Sequence, residues 1–150
     1  MICKMNTIQI NKIMEKCKST KKIYMGTFAI DELPEKVFYP SAMIVNTHPS
    51  HKSGEHWLAI YFDKNKKGTF FDSYGNTAKF FNLGKFMKKH SISYKENSVM
   101  LQSNSSEYCG IYSILFLIHM SKKLTLKQFL LKFNSPSKND AMIKEFLKKY

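Results

Sequence analysis

Apolar positions along this chain follow three different rhythms. From Asn6 to Lys18 they recur at Ile10, Ile13, Met14 and Cys17, the spacing of a helix with one buried face, and Asn6 stands where a cap belongs. Met25 to Glu32 reads as a loop or short strand, and Pro34 and Pro40 bracket an extended stretch. Ala42-Met43-Ile44-Val45 and His56 to Phe62 are nearly continuous apolar runs, as expected of strands covered on both faces. Between them, Asn46 to Gly54 is a loop rich in Asn, Pro, Ser and Gly. Lys64 to Gly68 is a polar turn and Thr69 to Ser73 a return strand, which together predict an antiparallel hairpin.

Asn76 is expected to cap a helix running to His90, with Phe80, Phe81, Leu83 and Met87 on its buried side and Gly84 as a weak point. Ile92 to Tyr94 and Val99 to Leu101 are short strand candidates. The third rhythm is Tyr108 to Met120, apolar almost all round, which marks a core helix. Leu126 to Phe133 and Asp140 to Tyr150 are amphipathic helices separated by Asn134-Ser135-Pro136-Ser137. With no internal repeat and no linker, residues 1–150 are expected to form one α+β domain wrapped around the 108–120 helix.

Composition narrows the class. At 43% hydrophobic and 14% aromatic residues, the chain has enough apolar surface for a core, which excludes general disorder. The longest apolar run, Ile114 to Ile118, is too short for a membrane span, and Met1 to Asn6 lacks the layout of a secretory signal. The expectation is an intracellular protein, not secreted and without a membrane partner. Cys3, Cys17 and Cys109 are too few for a disulfide framework and lack zinc-site spacing. His48, His51 and His56 have no cysteine partner, so no metal is expected. The formal charge is +13, and all 24 basic residues are lysine. Such a field attracts polyanions, but lysine lacks the planar fork that reads bases. Non-specific DNA contact fits this surface, as does a mere lysine bias in an AT-rich coding sequence.

The order of a few polar residues suggests chemistry. Cys109 sits at the start of the core helix, where unpaired amides and the helix dipole favour negative charge and lower a thiol's pKa. Its ordinary alternative is a buried structural cysteine. His56, beside the one tryptophan, Trp57, opens an apolar strand and is the preferred base. His48, His51 and His90 read as exposed, and His119 lies about 15 Å down the helix from Cys109. Asp72 ends the return strand and is the candidate to orient His56. If Asp63 pairs with Thr69, however, His56 and Asp72 stand four residues out of step, about 13 Å. Asp63 is then the fallback carboxylate. Gln102, seven positions before Cys109, is the candidate oxyanion donor beside the Cys109 amide. Taken singly, each of these residues also has a plain structural reading.

The segments Ile44-Val45-Asn46-Thr47, Gly54-Glu55-His56-Trp57-Leu58-Ala59, Phe71-Asp72-Ser73-Tyr74-Gly75, and Gln102 with Cys109-Gly110 resemble the adenovirus endoprotease family over about residues 24 to 120. The ubiquitin-like-modifier proteases are similar but usually one residue shorter between glutamine and cysteine. The resemblance implies a papain-like or adenain-like fold, a small antiparallel or mixed sheet around the helix that carries the nucleophile. It implies Cys109 as nucleophile, His56 as base, Asp72 as third member, Gln102 as oxyanion donor and Trp57 as a cleft wall that binds substrate. Adenoviruses carry glutamate in the third position, whereas the modifier proteases carry aspartate.

The function implied is a cysteine endopeptidase that cleaves viral or virus-like-element precursor proteins near small residues such as glycine. Its setting would be the host nucleus or the virion. A modifier protease and a non-catalytic basic DNA-binding protein are the alternatives. No cofactor is expected, and DNA stands as a candidate activator. The chain is shorter than the family and has no cysteine between Asp72 and Gln102, where the adenoviral enzyme bonds its activating peptide.

Overall fold

A computed structural model of the chain describes residues 4–52 and 56–148. Cys3, and Gly54-Glu55 of the motif ahead of His56, lie outside the described residues. The elements run α1 (Thr7–Lys16), β1 (Tyr24–Ala29), β2 (Ser41–Asn46), β3 (Trp57–Phe62), β4 (Lys67–Phe71), a 3-10 turn (Lys79–Phe81), α2 (Gly84–His90), β5 (Ser93–Glu96), α3 (Cys109–Ser121), α4 (Leu126–Leu130) and α5 (Pro136–Leu147). The strands form one mixed sheet in the order β1-β2-β3-β4-β5. The outer pairs β1/β2 and β4/β5 are parallel, and β2/β3 and β3/β4 are antiparallel.

The unbroken apolar runs of β2 and β3 follow from helices on both sides of this sheet. Alternate residues Ala42, Ile44, Ala59 and Tyr61 face one core, shared with Ile10 and Met14 of α1, the length of α3, Phe129 and Ile143. Met43, Val45, Leu58, Ile60, Phe62 and Phe70 face a second core closed by Ala78, Leu83 and Met87. Phe116 of α3 stacks on Phe71 with centroids 4.6 Å apart, and Phe129 meets both rings edge-on. A helix enclosed in this way cannot spare a polar stripe, which is why α3 is apolar almost all round.

Local chemistry sets several boundaries as expected. Asn6 caps α1 in a capping box with Gln9, and Thr125 does the same for α4 with Gln128. Three expectations are corrected. The helix from Asn76 to His90 is broken: Asn82 takes a left-handed conformation (φ 61°), so a 3-10 turn precedes α2 and Phe80 points outward, 66% exposed. His90 is buried rather than exposed, with its ring against Phe86 and Phe62. Val99 to Leu101 forms no strand; that segment instead binds the turn after β4 through the Leu101 N–H to the Ser73 carbonyl at 2.8 Å. In addition, α5 begins at Pro136, a residue suited to the first helical position, earlier than the pattern alone indicated.

Candidate active site

Cys109 is the first residue of α3 and is nearly buried, with its side chain at the floor of a cleft. The first amides of a helix have no partner within it, so the thiol sits among donors and at the positive end of the dipole. The wall that matters most is His56, immediately before β3. The cleft holds about 310 Å³ and is lined by Trp57, Tyr74, Phe80 and Phe81 as well as His56 and Cys109.

The two members that strand pairing seemed to separate do meet: His56 Nε2 lies 2.6 Å from Asp72 Oδ1. Two differences from the expected hairpin account for it. The turn is tighter, because Asp63 pairs with Lys67 and its carboxylate accepts the Asn65 and Lys67 N–H groups. This moves the register to Ala59 opposite Phe71 and leaves His56 and Asp72 two residues out of step rather than four. It also confines Asp63 to the far end of the hairpin, away from His56. The remaining gap closes because the chain leaves the strand after Phe71.

From Asp72 the backbone turns back on itself, with the Gly75 N–H on the Asp72 carbonyl at 2.8 Å. Gly75 has φ +80°, and a Cβ there would sit 3.0 Å from the backbone of Ser98 and Val99, so glycine suits the position. Tyr74 N–H donates to Asp72 Oδ1 (3.1 Å) and Asn76 N–H to Oδ2 (3.0 Å), which aims the carboxylate toward His56. Asn97 then clamps the same residue as a strand partner would. Its Oδ1 accepts the Asp72 N–H at 3.1 Å and its Nδ2 donates to the Asp72 carbonyl at 2.8 Å. Both side chains are almost completely buried.

Burial by itself would pull the His56 imidazole down, because the charged ring loses water. The hydrogen bond to Asp72, the Cys109 thiol and the negative charge of both outweigh it, and the His56 pKa is pushed up to about 9. With Nε2 engaged by Asp72, the other ring nitrogen is the one left for the thiol. Tyr74 stacks on the imidazole at 5.0 Å and Phe81 at 6.1 Å, fixing the plane of the ring.

Trp57 is a wall rather than a donor. Its indole N–H is taken by the Met5 carbonyl at 2.9 Å, and the side chain is mostly buried. It separates the cleft from a second hollow of about 580 Å³, lined by Met5, Phe28, Asn46, His48 and Pro49 among others. Gly110 leaves room beside it, since a Cβ there would come within 3.1 Å of Trp57 Cδ1.

Gln102 is completely buried and does not line the cleft. Its Oε1 accepts from Ser73 Oγ at 2.5 Å, which fixes the amide's orientation. The Nε2 thereby faces the Ser106 carbonyl at 2.8 Å, in the 103–107 loop whose Ser106 and Glu107 line the cleft. That loop is tied to α5: Asp140 Oδ2 accepts from Ser103 Oγ (2.5 Å) and Ser103 N–H (3.2 Å), while Oδ1 accepts from Tyr112 (2.8 Å).

Sequence reasoning missed Ser73, Tyr74, Phe81, Asn97, Ser106 and Asp140 as parts of this site. Ser73 and Tyr74 had a signal, their adjacency to Asp72. Asn97 and Asp140 had none, because their partners lie 25 and 37 residues away.

Comparison with solved structures finds the same fold in a crystallised ASFV pS273R protease, with a TM-score of 0.60 and 13% identity. That match covers 91% of this chain and 64% of the other, so the chain spans less than two thirds of that protein's length. A selenomethionine form of the same protease overlays at TM-score 0.46 and 19% identity, covering 69% and 42% of the two chains. An AvrA structure with IP6 and CoA overlays at 0.48 and 19%, covering 78% and 47%. A search of curated proteins finds no match. A model of the adenovirus endoprotease family matches residues 24–139, which is most of the chain and includes His56, Asp72, Gln102 and Cys109. On that match the chain belongs to the adenovirus endoprotease family, a family of cysteine peptidases.

Proposed function

We propose that this chain is a cysteine endopeptidase acting through Cys109, His56 and Asp72. The observation that carries the reading is the short hydrogen bond between buried Asp72 and His56, with His56 and the helix N-terminal Cys109 lining one cleft. Cys109 Sγ attacks the scissile carbonyl carbon as the thiolate, with its proton held on His56. The carbonyl oxygen becomes an oxyanion stabilised by the Cys109 backbone N–H, and withdrawal of the Ser106 carbonyl that now covers Gln102 Nε2 brings this amide to the cleft as the second donor. His56 gives its proton to the departing amine as the C–N bond breaks, leaving a thioester on Cys109. Water, deprotonated by His56, then attacks the thioester and restores the thiol.

Family membership and a cleft narrowed by Trp57 support polypeptide substrates with small residues such as glycine at the cut, and precursor proteins of a virus or virus-like element as their source. The +13 charge supports non-specific contact with DNA as an accompanying property.

The test is cleavage of glycine-containing precursor peptides by the wild type and by Cys109→Ala. Loss of cleavage with unchanged folding is the expected result. Full activity in the variant refutes the assignment. Covalent capture of Cys109 by a ubiquitin-like-modifier probe would shift the substrate class to modifier conjugates.

A further inference from the structure

The cleft has two unlike flanks. On one, Trp57 and Gly110 pack beside the nucleophile, and a Cβ on Gly110 would lie 3.1 Å from the indole. On the other, Phe81 stacks on the base with centroids 6.1 Å apart, and Phe80 meets Phe81 edge-on at 5.0 Å. Phe80 lines the cleft and is 66% exposed, on a turn held by the Phe80 N–H to Thr77 Oγ1 bond and closed by left-handed Asn82. The local fold thus presents an aromatic ring to solvent at the edge of the site, while its neighbour Phe81 is turned inward toward the imidazole.

Chemistry gives these flanks a direction. The acyl half of a substrate becomes bonded to Cys109 Sγ, and the amine half departs with the proton of His56. The acyl half therefore lies toward Trp57 and Gly110, and the departing half toward the rings around His56. We propose that Phe80 is a specificity-determining residue that binds an apolar side chain immediately following the scissile bond. This inference rests on the peptidase reading and adds to it a direction for the bound chain and a substrate preference. The ring gains from covering apolar surface, so a small polar side chain such as serine at that position gains little from it.

Two peptides test it, identical up to and including the glycine at the cut and differing only in leucine or serine after it. The ratio of kcat/KM for the leucine peptide over the serine peptide is measured for the wild type, Phe80→Ala and Phe80→Leu. In parallel, the two departing-side peptides are titrated against Cys109→Ala and Cys109→Ala/Phe80→Ala by fluorescence anisotropy. The expected ratios, of kcat/KM in the wild type and of Kd in Cys109→Ala, are about tenfold or more in favour of leucine. Both fall toward one when Phe80 is replaced by alanine, and the kcat/KM ratio persists in Phe80→Leu. Equal rates for both peptides in the wild type, or a preference unchanged by Phe80→Ala, overturn the assignment and leave the peptidase reading standing. If neither peptide is cut, the peptidase reading falls and the anisotropy ratio decides the role of Phe80 by itself.

Discussion

Asp72→Asn exchanges a carboxylate for an amide of nearly the same shape and so removes charge without opening a cavity. The amide oxygen can still accept from Tyr74 and remain beside His56, and the Asn97 clamp binds only the backbone of residue 72. What disappears is the negative charge that helps hold His56 at about 9 against its ordinary 6.5, together with the Oδ2 acceptor of the Asn76 N–H. At about 1.36 kcal/mol per pKa unit, that rise is a net preference of about 3 kcal/mol for the imidazolium, which Asp72 and Cys109 together supply beyond the cost of burial. Burial, which opposes the charged ring, remains in the variant. The His56 midpoint is therefore expected to fall by about one unit or more, toward the range of a free imidazole.

The assay is a histidine ¹⁵N NMR titration of both proteins, with unfolding measured in denaturant across the same pH range. The sign follows from the raised folded-state value. The stabilisation is complete below the unfolded pKa of 6.5 and is lost as pH rises through about 9. The wild type should lose up to about 3 kcal/mol over that window, and the variant should lose much less. Turnover in the wild type should fall above about pH 9 as the ring loses the proton it gives to the leaving amine. A His56 midpoint that stays near 9 in Asp72→Asn would refute the reasoning, because it would assign the whole effect to the thiol.

Three further outcomes are expected. Asn97→Ala should lower kcat by about tenfold or more at little change in KM, since it loosens Asp72 rather than the substrate; a pH–rate profile identical to wild type would mean Asn97 only supports the fold. Gln102→Ala removes the amide donor, so kcat should fall by about 10²–10³, with denaturant unfolding measured alongside to separate this from lost stability; an unchanged rate removes Gln102 from the mechanism. Phe116→Ala, in the stack with Phe71 and Phe129, should cost about 3–5 kcal/mol of stability in denaturant unfolding; a loss below about 1 kcal/mol would show that this core does not hold α3 as described.

What the sequence by itself determined are the features carried by local spacing. The enclosed helix of Cys109, the two-faced strands β2 and β3, the hairpin and the Asn6 cap are each written in a dozen or so consecutive residues, because amphipathic period and capping act over one or two turns. The order of His56, Asp72, Gln102 and Cys109 likewise pointed to one chemistry. Tertiary structure decided how these parts meet. Whether His56 reaches Asp72 depends on a turn one pair tighter, on the left-handed Gly75 and on a clamp from Asn97, contacts between segments that no periodicity connects. The break at Asn82 that turns Phe80 outward, and the Ser73 and Ser106 partners that orient Gln102, arise in the same way. Side-chain direction at the end of a strand is set by whichever distant group satisfies the freed backbone polar atoms, and that partner exists only once the chain has folded.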